Sequence, residues 1–305
     1  MQIAYHLPSR VLDNAELIRD YPDWTEEKIL KKTGIASRRV SSTDEDALDL
    51  AVAACEKLFA KGVRRDEADF ILLCTQSPRY RLPSSACILQ QRLGLSTAVG
   101  ALDYDLGCSG YVYGLSLAKG LVESGAAKGV LLVTAETYTK YLGAEDRSTR
   151  TIFGDGAAAT LVDATAARQI GAFAFGTDGR GAEKLIVREG QHLFMDGPDI
   201  FNFTLDVVPP TMDAVCARNG IARDEVDLFV FHQANRFMLE TIRKVNRIPA
   251  EKFYVNMADT GNTVSSTIPI ALARAESDGV LKPGMKVMLL GFGVGLSWAG
   301  TMVTW

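Results

Sequence analysis

The succession of apolar runs and amphipathic stretches in this chain predicts an α/β fold with helices packed against largely parallel sheets. Two observations carry that prediction. DFILLC (69–74) and DLFVF (227–231) are continuous apolar runs suited to strands buried on both faces. Stretches of helical apolar spacing follow them, punctuated by glycine, proline and asparagine. The two halves present their elements in a similar order, which divides the chain into domains 1–165 and 166–305.

Element by element, residues 23–33 predict a short helix capped by Asp23 and stopped by Gly34. Asp44–Lys61 has helical spacing through Leu48, Val52, Cys55 and Leu58. Asp69–Cys74 is a strand, and the polar loop TQSPRYRLPS leads into a helix over 84–93. A strand near Gly100–Leu106, a helix over Tyr111–Ser124 and a strand at Val130–Ala135 come next. After the Gly154–Gly156 turn the chain returns as another apolar strand. In the second half the expectations are a strand at Val226–Phe231 and helices over 234–246 and 267–277. Strands at Met285–Leu290 and Leu296–Thr304 complete it.

Composition narrows the function. Of 305 residues, 47% are apolar and 23% charged, the balance of a globular protein with an ample core. A formal charge of −4 argues against nucleic acid as partner, since phosphate binding needs a basic excess. No apolar run approaches the roughly 20 residues of a membrane span, and MQIAYHLPSR is no signal peptide. Five scattered cysteines and three histidines predict neither a disulfide framework nor a metal site, and a reducing, cytoplasmic compartment.

Cys108 lies in DYDLGCSGYVYGLSLAKG, between a buried strand and a helix so apolar that it belongs at the centre of the fold. The N–H groups at a helix start favour an anion, so the thiol is expected to ionise more readily than usual. An arbitrary cysteine is more often a small buried hydrophobe, and that reading holds for Cys55, Cys74, Cys87 and Cys216. His232 ends the strand DLFVF, where open α/β sheets put their sites, although a satisfied structural histidine fits the local sequence equally well. Taken alone, Asn262 reads as a turn residue, and GFGVG (291–295) as either a bulge or a source of N–H groups for an oxyanion.

Together, GCSG, IFGDGAAA, HQAN, GNT and GFGVGLSW, in this order and spacing, closely resemble the β-ketoacyl-acyl carrier protein synthase III family of the thiolase superfamily. The resemblance runs from HLPSRVLDNAEL and KKTGIASRR to the last strand. It implies a thiolase-like fold of two similar halves, layered α-β-α-β-α around a buried central helix pair. It also implies a Cys-His-Asn site on Cys108, His232 and Asn262, with backbone N–H groups of Cys108 and Val294 as the oxyanion hole. Cys108 would take an acyl group from acyl-CoA. Decarboxylation of malonyl-acyl carrier protein would then supply the attacking enolate, with no cofactor beyond these substrates.

Further carry-over puts coenzyme contacts at Lys28, Lys32, Arg147, Asn235 and Arg236. Trp24 is offered in place of the aromatic residue that the family has where Lys28 stands. Leu82 aligns with a residue that enters the acyl pocket from the partner of a homodimer. Val294 departs from the family's glycine, which narrows the cavity and restricts the backbone, and Phe237 stands at a family arginine. Arg236, Arg243, Lys244 and Arg247 are expected on one helix face, suited to an acidic carrier protein. Two alternatives stay open. One is an acyltransferase of the same fold that passes the acyl group to an alcohol or amine. The other is a silent subunit of a heterodimeric synthase, which would be expected to lack one of the three residues.

Overall fold

The computed structural model describes residues 1–305. The first half runs β1 (Gln2–His6), β2 (Arg10–Asp13), α1 (Asn14–Asp20), α2 (Glu26–Thr33), β3 (Ser37–Val40), α3 (Ala47–Ala60), β4 (Phe70–Cys74) and α4 (Ser85–Arg92). It continues with β5 (Gly100–Tyr104), α5 (Gly110–Glu123), β6 (Gly129–Glu136), α6 (Arg147–Arg150) and β7 (Gly156–Asp163). Helix α7 (Ala164–Gln169) leads into β8 (Ile170–Thr177), β9 (Leu185–Val187), β10 (Leu193–Met195) and α8 (Gly197–Asn219). The chain ends with β11 (Leu228–Phe231), α9 (Arg236–Val245), α10 (Thr267–Ser277), β12 (Lys286–Gly293) and β13 (Ser297–Thr304).

Two sheets carry the architecture. The first has the order β1-β7-β6-β4-β5, the second β8-β13-β12-β11. Read from β1 and from β8, both run antiparallel, antiparallel, parallel, and the first adds β5 in parallel at its edge. The sheets are therefore mixed and not largely parallel. In the second sheet β12 turns straight back into β13, and that short return produces an antiparallel pair.

Helix α3 covers the outer face of the first sheet and α8 that of the second. Between the sheets lie α5, which touches strands of both, and α10, which touches β1, β7 and β11. This is the five-layer α-β-α-β-α arrangement with a central helix pair. A core cluster of 26 residues fills the middle, joining Leu72, Val130 and Leu132 of one sheet to Val230, Val287 and Leu289 of the other. No helix is long and apolar enough to cross a membrane.

Local chemistry explains most boundaries. Helix α2 begins later than the predicted 23–33 because Thr25, and not Asp23, accepts the Lys28 N–H, while Gly34 ends it at φ 73°. Helix α3 opens on a capping box between Asp46 and Asp49. Helix α9 starts at Arg236 rather than Ala234 because the Asn235 side chain accepts the Met238 N–H at 2.9 Å.

Candidate active site

Three segments, each held by backbone bonds, converge at one end of the central helices. Cys108 precedes α5, whose first turn is closed by the Gly110 N–H donating to Gly107 O. His232 follows β11, and its N–H donates to Leu290 O on the neighbouring β12. Asn262 is clamped to the other half of the chain: its N–H donates to Ile152 O and its carbonyl accepts from Gly154 N–H. The GFGVG segment closes the site from below, where a Cβ at Gly293 would lie 2.8 Å from the Cys108 sulfur. Glycine there leaves the space a reacting sulfur needs.

These residues line one pocket of about 120 Å3. Cys108, His232 and Asn262 face it together with Phe153, Leu185, Met195, Ile200, Met238 and Phe292. The Asn262 side chain is fixed, because Oδ1 accepts the Val264 N–H at 2.9 Å and so turns Nδ2 toward His232 Nε2, 3.5 Å away. His232 Nδ1 lies 2.7 Å from Thr267 Oγ1, which also donates to Val264 O at 3.1 Å. With its one hydrogen on Val264, the Thr267 hydroxyl accepts Nδ1–H and leaves Nε2 a lone pair. Turned toward the ring, the same hydroxyl puts the hydrogen on Nε2. Thr267 therefore permits either tautomer.

Burial dominates the electrostatics. It pushes the Cys108 thiol up to about 12, against backbone N–H groups of Val294 and of Cys108 itself that favour the thiolate. The expected lowering by the helix start is thus outweighed, since no cation faces the sulfur and the buried Glu136 adds a like charge. Burial drives His232 down to about 3, so its imidazole is neutral. Val294 meets its expected backbone demand without strain: the left-handed conformations of this turn fall on Gly295 (φ 74°) and Leu296 (φ 43°).

Ile152 and Asn235 also line an outer cleft of about 910 Å3, so the two spaces adjoin. Trp24, Lys28 and Lys32 line this cleft, joined by Lys31, which motif reading missed. The Lys28 and Lys32 ammonium groups stand 4.7 and 5.1 Å from the Trp24 ring centre. Arg147 sits beside the cleft over the Tyr21 ring, with Asp23 3.6 Å away. Phe237, at the position of the family arginine, is exposed and stacks on Phe201.

Other expected residues lie elsewhere. Leu82 is 80% exposed on a surface loop and does not line its own chain's pocket. The basic stripe is not one face. Arg243 is tied to Glu240 and to Ile248 O, and Arg247 lies beyond the end of α9 at φ 55°. Arg236 and Lys244 remain exposed on the helix, the stem of Arg236 resting on Gly34.

Motif reading also missed Glu136. This wholly buried carboxyl ends β6 and accepts hydrogen bonds from Gln76 N–H, Ser77 Oγ and Ser265 Oγ. It ties loops of both halves around the pocket, and burial pushes it up to about 8. Its signal, one acid closing the apolar run GVLLVTAE, was present in the sequence.

Known proteins resemble this chain over nearly its whole length. Residues 102–179 match the family model described as 3-oxoacyl-[acyl-carrier-protein (ACP)] synthase III, and residues 216–305 match its C-terminal model. Beta-ketoacyl-[acyl-carrier-protein] synthase III 2 of Halalkalibacterium halodurans is 36% identical, over 99% of this chain and 95% of that protein. A crystal structure of a 3-oxoacyl-(acyl-carrier-protein) synthase III superposes with a TM-score of 0.96 at 53% identity, covering 99% of this chain and 98% of that one. The synthase III of Pseudomonas aeruginosa PAO1 gives 0.94 at 32% identity, covering 100% and 96%. The chain belongs to the 3-oxoacyl-[acyl-carrier-protein] synthase III family.

Proposed function

We propose that this enzyme condenses an acyl group, received from acyl-CoA on Cys108, with malonyl-acyl carrier protein, releasing carbon dioxide and a β-ketoacyl-carrier product. The reading rests on the convergence of Cys108, His232 and Asn262 in one apolar pocket, with two backbone N–H groups at the sulfur. The basic outer cleft suits the phosphates of coenzyme A, with Trp24, Lys28, Lys31, Lys32, Arg147, Asn235 and Arg236 as contacts.

In the first stage the Cys108 S–H proton passes to His232 Nε2 as the sulfur attacks the thioester carbonyl. The oxyanion is held by the N–H groups of Cys108 and Val294. Collapse breaks the bond to the coenzyme sulfur, which leaves with the proton from Nε2. Before the second stage Nε2 takes a proton from water and Nδ1 releases its own as the Thr267 hydroxyl turns toward the ring, so that Nε2–H and the Asn262 amide face the malonyl thioester oxygen. Carbon dioxide departs, the electron pair of its bond forms the enolate, and the enolate carbon attacks the acyl-cysteine. The Cys108 thiolate is expelled and reprotonated. A neutral imidazole and a carboxamide serve this step because neither brings a charge that would oppose the enolate. The exposed Leu82 loop suits a homodimer contact, and soluble substrates suit a cytoplasmic enzyme.

Intact-protein mass spectrometry with acyl-CoAs, paired with carbon dioxide release from malonyl-carrier protein, tests these roles. Cys108→Ala should form no acyl adduct. Asn262→Ala should still acylate and lose about 10²–10³ in the decarboxylating step. An adduct surviving in Cys108→Ala would remove the assignment. Acyl transfer to an alcohol or amine without release of carbon dioxide would favour the transferase alternative.

A further inference from the structure

The buried acid that ends β6 has no part in the two stages described so far. Glu136 lines neither the Cys108 pocket nor the outer cleft, so it reaches no substrate directly. It takes its bonds from two loops, and one of them carries the partners of both His232 and Asn262.

That loop segment, residues 264–267, has two sides. On one side the Val264 N–H donates to Asn262 Oδ1 at 2.9 Å, and Thr267 Oγ1 lies 2.7 Å from His232 Nδ1. On the other, Ser266 Oγ lies 2.8 Å from Thr134 Oγ1, and Ser265 Oγ donates to Glu136 Oε1 at 2.9 Å. Thr134 and Glu136 stand two apart on β6, so their side chains leave the strand on the same face. The second carboxyl oxygen of Glu136 accepts Ser77 Oγ at 3.0 Å and the Gln76 N–H at 3.1 Å, which anchors the acid to the loop after β4.

Val264 shows why the segment needs an anchor. Its φ is 55°, in the left-handed region. A β-branched residue is strained there, and the conformation persists only where the surroundings enforce it. Relaxation at Val264 would swing its N–H away from Asn262 Oδ1 and release the amide that faces His232 Nε2. Ser265 is the next residue, and its bond to Glu136 fixes the chain directly after the strained position. We infer that Glu136 is a positioning residue for the decarboxylating stage: through Ser265 it holds Val264 left-handed, and the Val264 N–H in turn aims the Asn262 amide. The inference rests on Asn262 serving that stage.

Two half-reactions test it: Cys108 adduct formation from acyl-CoA, followed by intact-protein mass spectrometry, and carbon dioxide release from malonyl-carrier protein. Ser265→Ala deletes a single hydroxyl and should lower the kcat of carbon dioxide release about 10- to 100-fold, by misplacing a group rather than removing it. Adduct formation and the KM for malonyl-carrier protein should stay within about threefold of wild type, less than the worth of one hydrogen bond. Added to Asn262→Ala, the same substitution should slow the enzyme no further, because the group it aims is already gone. Glu136→Gln keeps an oxygen for Ser265 and offers an amide N–H to the Ser77 hydroxyl, so it should release carbon dioxide within about threefold of wild type. Carbon dioxide release at the wild-type rate in Ser265→Ala would overturn the positioning role. So would equal slowing of both half-reactions, a full further loss on top of Asn262→Ala, or a Glu136→Gln variant as slow as Ser265→Ala. Each of these leaves Asn262 in its stage. Wild-type carbon dioxide release by Asn262→Ala would instead remove Asn262 from that stage, and the role of Glu136 with it.

Discussion

Burial acts on Cys108 and His232 in opposite senses, raising the acid and lowering the base, so the pair rests as thiol and imidazole. A neutral pair in an apolar pocket costs less than a buried ion pair, and charge appears only when a thioester supplies the oxyanion. The same burial makes stability depend on pH. His232 takes a proton near 6.5 when unfolded and refuses it until about 3 when folded. Between those values the unfolded state binds more protons, so stability falls as pH drops through that window. His232→Gln should flatten this loss, measured as the urea midpoint against pH; an unchanged slope would show that other groups carry it. Cys108 was legible because a glycine-flanked cysteine before an apolar helix is a local pattern. Its resistance to ionisation was not, because the groups that bury it, Phe292, Gly293 and Leu185, come from distant strands and loops.

Elements with a strong period were readable and those carrying a local contradiction were not. Helix α10 falls on its expected 267–277 and α5 within one residue of its own, since both are apolar helices bounded by clear signals. Helix α8 is the longest, at 23 residues, yet Pro209 and Pro210 stand inside it, so its own sequence argues against it and tertiary packing on β8, β12 and β13 decides. The edge strands β1 and β8 also owe their place to the neighbours they pair with. For α9, spacing placed four cations together, but the helix ends at Val245 and an acid within reach captured Arg243. The cations left exposed on and just beyond α9 are Arg236, Lys244 and Arg247, and we propose that these face the carrier. Lys244→Glu with Arg247→Glu should raise the KM for malonyl-carrier protein about tenfold, steepest at low salt, and leave acylation by acyl-CoA unchanged. Equal effects on both half-reactions would remove α9 as the docking face.

The two sheets have the same order and share one helical layer, and the pocket forms where that layer meets loops of both halves. Each half therefore lacks a covered inner face without the other. Leu115 on α5 is wholly buried in the central cluster, which includes side chains from both sheets. A void there takes contacts from both halves at once, so the chain should unfold as one cooperative unit. Leu115→Ala is expected to cost about 2–5 kcal/mol and to lower the Tm by about 5 °C. Scanning calorimetry should show a single transition in both proteins, moved as a whole. If the halves were independent units, the scan would resolve two transitions, and the substitution would move the one belonging to α5 and leave the other in place. That outcome would also separate Cys108 from His232, Asn262 and the Val294 N–H during unfolding, so both half-reactions would fail at the lower transition while the other half stayed folded. Under cooperative unfolding the two half-reactions are lost together, at the single transition.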